Sequence, residues 1–188
     1  DTFLGGIESN MSEGAIVVDA YNALRYTAGA IGNHEFDFGP VDRAGLRQAL
    51  GTDLRGALKA RAAQAHYPLL AANLVDEATG QVVDWPNVRP SVLIEAAGAR
   101  VGIVGVMTID ALRATLAVNV PGLRVAPLAP AVATEAAKLR AAGAGIVIVV
   151  AHAGGACADF SNPADVSSCD ADSEIFRLAR DLPAGLVD

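Results

Sequence analysis

The sequence has little of several residue types, and each scarcity argues against a class of protein. Its 188 residues include 14 Lys and Arg against 21 Asp and Glu, for a net charge of −7. A protein that binds a nucleic-acid backbone needs clustered basic side chains, so no nucleic-acid polymer is expected as a partner. No apolar run approaches the roughly 18 residues of a membrane-spanning helix, so no membrane span is expected.

Cysteines are also scarce, and the two present lie in one polar stretch. Cys157 and Cys169 are the whole complement. One interpretation is a disulfide that pins the loop between them, which would imply an oxidising compartment. The other is a pair of free thiols. Two cysteines alone leave both interpretations open.

Only three histidines occur, and two of them follow predicted strands. His34 comes shortly after the apolar residues 28–31, and His152 directly follows the strongly apolar run 146–151. His66 precedes a Tyr-Pro pair at the end of a helical pattern, so it is interpreted as a surface residue with no ligand role. The scarcity of histidine gives weight to the two that share a strand-end position.

Hydrophobic residues make up 52% of the chain, which suits one domain of this length with a sizeable core. Apolar runs alternate with helical patterns, and a hairpin is predicted around Gly98. This alternation predicts an α/β fold with a mixed sheet. Predicted helices cover 12–26, 40–50, 53–64, 130–142 and 173–180, and predicted strands cover 26–31, 68–74, 91–96, 100–107 and 145–151.

The segment Gly-Asn-His-Glu-Phe-Asp-Phe-Gly at residues 32–39 carries the most chemical information. It follows a predicted strand, and open α/β sheets bind ligands at the carboxyl ends of their strands. Asn33 and His34 are adjacent, so their side chains should diverge, one towards a metal ion and the other towards a substrate. Asp37 is placed to orient His34 and raise its basicity. The alternative is a capping loop, because Asn and Asp are common in turns.

Three further residues have both a functional and a structural interpretation. His152 is placed to ligate a metal ion at the same sheet edge, or to be a hydrogen-bonded structural histidine. Asp1, taken alone, is a frayed terminus. Asn73 follows a predicted strand and either supports a neighbouring site or forms a turn, and the turn is the favoured interpretation.

Residues 32–39 resemble the Gly-Asn-His-Glu-Phe-Asp signature of calcineurin-like metallophosphoesterases, and their longer form resembles the 5'-nucleotidase branch. Residues 1–5 resemble the Gly-Asp-x-Phe-x-Gly segment of that family without its first Gly. Residues 67–73 and 101–105 resemble later strands, and His152 fits the family's strand-end histidine. The resemblance covers nearly the whole chain and implies a metallophosphoesterase-type α/β sandwich with mixed sheets.

The resemblance also implies a role for each site residue. Asp1 would bridge two divalent metal ions, drawn from Mn, Zn, Co, Fe or Mg, and Asn33 and His152 would ligate the second of them. His34 would contact the phosphate and stabilise the transition state, or protonate the leaving oxygen. Asp37 would orient His34.

The activity that the resemblance implies is metal-dependent hydrolysis of a phosphoester. A 5'-nucleotidase acting on nucleoside monophosphates is the first expectation, with a small-molecule nucleotide or phosphate ester as partner. The alternatives are a 2',3'-cyclic nucleotide phosphodiesterase, sulfate-ester or thiosulfate chemistry, and a catalytically inactive binding domain. The resemblance and the potential disulfide imply a periplasmic or secreted location.

The sequence departs from the family at two motifs. It has neither the Asp-x-His pair of the opening strand nor the Gly-His-x-His segment. Residues 1–188 are therefore expected to be an incomplete metallophosphoesterase domain that lacks its first and last motif-bearing strands. We expect the isolated chain to be catalytically inactive and to self-associate through exposed strand edges.

Overall fold

The computed structural model describes residues 1–41 and 52–188. Most of the helix predicted for residues 40–50 lies outside these ranges. Within them the chain forms five α-helices and eight β-strands. The helices are α1 (Ile7–Met11), α2 (Ala15–Ala23), α3 (Gly56–Gln64), α4 (Leu128–Ala141) and α5 (Glu174–Asp181), and the strands are β1 (Gly29–Ala30), β2 (Leu69–Leu70), β3 (Leu74–Asp76), β4 (Val88–Arg89), β5 (Ser91–Ala96), β6 (Ala99–Met107), β7 (Leu123–Val125) and β8 (Ile146–His152).

The helix predicted for residues 12–26 corresponds to α2, which is shorter than predicted, and α1 is a separate short helix before it. Gly14, directly before α2, has a φ of 84°, and a Cβ there would lie 2.7 Å from the ring of Phe3, so the position favours glycine for two reasons. Val18 is fully buried, whereas Leu24 is 69% exposed. None of the helices in the described ranges combines the length and apolarity needed to cross a membrane.

The predicted hairpin is confirmed as the antiparallel pair β5–β6, with Ser91 opposite Val104. Gly98, with a φ of 80°, occupies the turn. The other side of β6 pairs in parallel with β8, which brings Met107 opposite His152 at the carboxyl end of both strands. A sheet that contains both pairings is mixed, as predicted.

A second sheet, β1-β2-β4, is entirely parallel and packs against the first through β1 and β2. The strands predicted for 26–31 and 68–74 are shorter in the structure, because the chain leaves β2 after Leu70 and Ala72 N donates to Gly105 O at 2.7 Å. A Cβ at Gly105 would lie 2.2 Å from Leu70 Cβ. Glycine at this position therefore permits the close approach that brings the ends of β1, β6 and β8 together.

The two cysteines form a disulfide, which decides between the interpretations that the sequence left open. The Cys157–Cys169 bond closes the loop between β8 and α5, and the two residues also form an isolated antiparallel bridge. This loop begins directly after His152. The disulfide therefore restrains the segment that leaves the sheet edge at that histidine.

Strand β8 has one buried and one exposed face. Val147 is fully buried, whereas Ile146, Ile148 and Val150 are each at least 40% exposed. Asp188 N donates to Val147 O at 3.0 Å, so the end of the chain already contacts the strand. The exposed apolar face agrees with the expected self-association, which stays a prediction.

Candidate active site

The five residues predicted to form a site lie together at the carboxyl edge of the two sheets. Asn33 and His34 follow β1, and His34 begins a short 3-10 helix that ends before Asp37. His34 N donates to Asp1 Oδ1 at 3.1 Å. A Cβ at Gly32 would lie only 2.2 Å from the same oxygen. The glycine before Asn33 therefore leaves room for the Asp1 carboxylate.

The three predicted metal ligands are Asp1, Asn33 and His152, and their side-chain oxygen and nitrogen atoms lie close together. His152 Nε2 lies 2.8 Å from Asn33 Oδ1 and 3.5 Å from Asp1 Oδ2. The Asn33 amide nitrogen donates to Ala114 O at 2.9 Å, which directs its oxygen towards His152. Ligands bound at about 2.0–2.2 Å from one cation lie about 3 Å apart, so this spacing fits three donors of a shared divalent ion.

This donor set is partial. Among residues 1–41 and 52–188, no group of three or more His, Cys, Asp and Glu side chains is arranged to hold a metal ion. The cluster contains only two such side chains, Asp1 and His152, and its third donor is the neutral amide of Asn33. One carboxylate, one amide oxygen and one imidazole nitrogen are suitable ligands for several divalent ions but select none of them.

The surroundings of His152 favour the neutral form of its ring. Burial lowers the pKa of the imidazole. This effect disfavours the protonated ring. A neutral imidazole is the form that ligates metals.

His34 and Asp37 form a second unit beside these donors. His34 Nδ1 lies 2.6 Å from Asp37 Oδ2, and both side chains remain partly exposed. Because Nδ1 is engaged with the carboxylate, Nε2 is the ring nitrogen that can contact a ligand. A carboxylate at this distance fixes the orientation of the ring.

Sequence reasoning missed the segment that supports this pair. Thr115 Oγ1 donates to Asp37 Oδ1 at 2.8 Å. Asn119, which is buried, donates through Nδ2 to Phe36 O at 2.7 Å and to Asp37 O at 3.3 Å. The turns over residues 111–119 thus secure the loop that carries His34. Threonine and asparagine in an irregular stretch give no periodic or motif signal that would identify them.

Asn73 lies in a turn, as predicted, and also has a structural role that the sequence did not reveal. It is fully buried, and its side chain accepts a hydrogen bond from Met107 N at 3.0 Å. Its amide donates to Met107 O at 2.7 Å and to Ala126 O at 3.1 Å. Asn73 therefore fixes the end of β6, the strand that pairs with His152. His66 is exposed, in agreement with its interpretation as a surface residue.

Comparisons with known proteins show what this chain is similar to. Protein 5NUC of Lutzomyia longipalpis is 30% identical over 155 residues, which cover 82% of this chain and 24% of that protein. Snake venom 5'-nucleotidase of Crotalus adamanteus is 29% identical over 156 residues, with the same coverage of both chains. The chain thus spans about a quarter of the length of these curated relatives. No family model matches the chain.

The fold of the chain is similar to that of a solved structure. The calcineurin-like phosphoesterase YfkN of Bacillus subtilis superimposes with a TM-score of 0.69 over the whole of this chain and 54% of that one, at 21% identity. The fold is therefore that of the calcineurin-like phosphoesterases. The curated relatives named 5'-nucleotidase agree with this fold and support the resemblance to the 5'-nucleotidase branch that was predicted from the sequence.

Proposed function

We propose that residues 1–188 are part of the catalytic domain of a metal-dependent 5'-nucleotidase that acts on nucleoside monophosphates. The observation that carries the proposal is the convergence of two units at one sheet edge. One is the donor set of Asp1, Asn33 and His152, and the other is the hydrogen-bonded pair of His34 and Asp37. The first suits divalent cations, and the second suits proton transfer beside them.

The donor set would hold the metal ions that this family's name implies. Asp1 is the only anionic ligand of the three, and its two oxygens face different groups. Oδ1 accepts from His34 N, and Oδ2 faces His152. Divalent ions held there would supply charge that neutralises phosphate oxygens and would activate the attacking water.

The chain's own residues would then supply the proton that the reaction needs. Hydrolysis forms a bond from water oxygen to phosphorus and breaks the ester bond, so the leaving nucleoside oxygen must gain a proton. His34 Nε2 can contact the phosphate as an imidazolium and donate that proton. Asp37, 2.6 Å from Nδ1, would hold the ring in the orientation that this transfer needs.

The disulfide supports a location outside the cytoplasm. Structural disulfides persist in oxidising compartments and are rare in the cytosol. The Cys157–Cys169 bond closes the loop next to the proposed ligand His152. We therefore place the enzyme in the periplasm or outside the cell, where it would release phosphate from nucleotides and contribute to nucleotide catabolism.

The proposal is tested by metal removal from the full-length gene product. Phosphate release from AMP is measured after chelation and again after Mn²⁺, Zn²⁺, Co²⁺, Fe²⁺ or Mg²⁺ is returned. We expect activity to disappear with the metal and to recover with at least one ion, while far-UV circular dichroism stays unchanged. Hydrolysis that persists after complete chelation, or no hydrolysis with any of these ions, would contradict the proposal.

The same assay distinguishes the substrate class. Bis-p-nitrophenyl phosphate and 2',3'-cyclic AMP are offered beside AMP at equal concentration. A 5'-nucleotidase should show its highest kcat/KM on AMP. A preference for the cyclic substrate would replace the proposed activity with that of a cyclic nucleotide phosphodiesterase.

A second prediction concerns Thr115, which hydrogen-bonds the carboxylate that orients His34. Thr115→Val keeps the branched shape and removes the hydroxyl. We expect kcat on AMP to fall by about tenfold, the equivalent of one hydrogen bond to a charged group, with KM nearly unchanged. The matched control is Thr134→Val, because Thr134 is exposed on α4 and bonds only locally to Pro130 O. Equal effects of the two variants would remove the role assigned to Thr115.

A further inference from the structure

Glu35 is an almost completely buried carboxylate in the middle of the proposed site. It lies between His34 and Phe36 in the sequence, and its side chain is only 1% exposed. Oε2 accepts a hydrogen bond from Gly32 N at 2.6 Å. Oε1 accepts bonds from Thr2 N and, at 3.3 Å, from Phe3 N. The function proposed above gives this residue no role.

The burial of a charged carboxylate is costly unless hydrogen bonds replace its hydration. Here three backbone N–H groups provide that replacement. Bonds from N–H groups to an ionised acceptor are stronger than neutral ones. The carboxylate is therefore held in one position, and the groups that donate to it are held with it.

The donors belong to two segments that are far apart in the sequence. Thr2 and Phe3 follow Asp1 directly, whereas Gly32 directly precedes Asn33. One oxygen of Glu35 binds the first segment, and the other oxygen binds the second. The side chain thus ties the backbone that carries Asp1 to the backbone that carries Asn33 and His34.

The relative position of these two segments matters because Asp1 on the first segment lies close to Gly32 on the second. The Asp1 carboxylate lies so near Gly32 that a Cβ there would be 2.2 Å from Oδ1. The other carboxylate oxygen lies 3.5 Å from His152 Nε2. A shift of the first segment by an ångström would separate Asp1 from both His34 N and His152.

We propose that Glu35 is a positioning residue that holds the Asp1 carboxylate in place relative to Asn33 and His34. It acts through the backbone and contacts neither the substrate nor a metal ion. The inference rests on the proposed function for its catalytic meaning. The structural tie itself rests only on the hydrogen bonds of Glu35.

The test compares Glu35→Gln with Glu135→Gln in the full-length gene product. Glu135 is the matched control, since it is 7% exposed and bonded to Ser91 and Lys138, none of which is a proposed site residue. Two quantities are measured: the Kd for Mn²⁺ by isothermal titration calorimetry, and amide hydrogen exchange by NMR. We expect E35Q to weaken Mn²⁺ binding by about tenfold or more, as removal of groups that orient metal ligands typically does.

Exchange at the amides of Thr2, Phe3 and Gly32 should accelerate in E35Q and stay unchanged in E135Q. The proposal is overturned if these amides keep their original rates in E35Q, or if E135Q weakens Mn²⁺ binding as much. Should the unsubstituted chain bind no Mn²⁺, the metal site of the proposed function fails, and the exchange data still decide the role of Glu35. If E35Q does not fold, E35D takes its place, because it keeps the charge but is too short to reach both segments.

Discussion

Replacement of His34 by alanine is expected to lower kcat for AMP hydrolysis by about 10²–10⁴-fold in the full-length gene product. His34 Nε2 is the proposed proton donor to the leaving oxygen, and Asp37 at 2.6 Å from Nδ1 holds the ring in orientation. Alanine removes the donor without adding bulk. Because the leaving nucleoside oxygen then departs unprotonated, the effect should fall on kcat much more than on KM. Initial rates at saturating and limiting AMP separate the two.

The metal ligands serve as the internal control for this variant. Asp1, Asn33 and His152 are intact in His34→Ala, so the Kd for Mn²⁺ should change by less than about threefold. His66→Ala provides a matched histidine substitution, because His66 is exposed and its backbone N–H, which the substitution keeps, makes the bond to Asn22. That variant should retain full activity. A His34→Ala enzyme that keeps a third or more of its kcat would exclude His34 as the proton donor.

The elements of the fold that could be predicted are those whose structure depends on a local sequence pattern. The hairpin of β5 and β6 has apolar runs on either side of a glycine at a position with φ of 80°. Helix α4 and strand β8 lie within a few residues of their predicted bounds. The strands β1 and β2 were predicted too long, because their ends are set by contacts with another strand. The bond from Ala72 N to Gly105 O joins residues that no local pattern relates.

The candidate site also contains residues that could be predicted from the sequence and residues that could not. Asn33, His34, Asp37 and His152 could be predicted because ligands collect at the carboxyl ends of strands. The residues that hold them could not, since they act through distant backbone and side-chain atoms. Thr115 contacts Asp37 across 78 positions of sequence, and Glu35 contacts Thr2 across 33. A single sequence carries no information about such pairs, and a buried glutamate looks like any other charged residue.

The charge of the chain bears on how a phosphate could bind. The net charge is −7, and three carboxylates, those of Asp1, Glu35 and Asp37, lie at the proposed site. A phosphate dianion would be repelled by this arrangement. Glu35 is compensated by backbone donors, and Asp37 by His34, so Asp1 is the carboxylate left to attract cations. The acidic composition therefore favours cation-assisted binding of the phosphate over direct recognition by the protein.

The largest expected effect on stability comes from Asn73, whose side chain makes three hydrogen bonds in a fully buried position. Asn73→Ala would leave the N–H and C=O of Met107 and the C=O of Ala126 without these bonds. Each unsatisfied buried group costs about 1–3 kcal/mol. Since such terms are not additive, we expect the free energy of unfolding to fall by about 3–5 kcal/mol. Urea unfolding followed by circular dichroism measures the change.

Asn162→Ala is the control for this substitution, because Asn162 is exposed and its side chain accepts a bond from Ala164 N within its own loop. Its effect should stay within about 0.5 kcal/mol. A loss below about 1 kcal/mol for Asn73→Ala would mean that the end of β6 is held by other contacts. The site offers a second measurement, since Met107 pairs with His152. If Asn73 fixes that pairing, amide exchange at residues 107 and 108 should accelerate in Asn73→Ala under conditions where the rest of β6 remains protected. Uniform acceleration along the strand would instead indicate a global loss of stability with no particular role at the sheet edge.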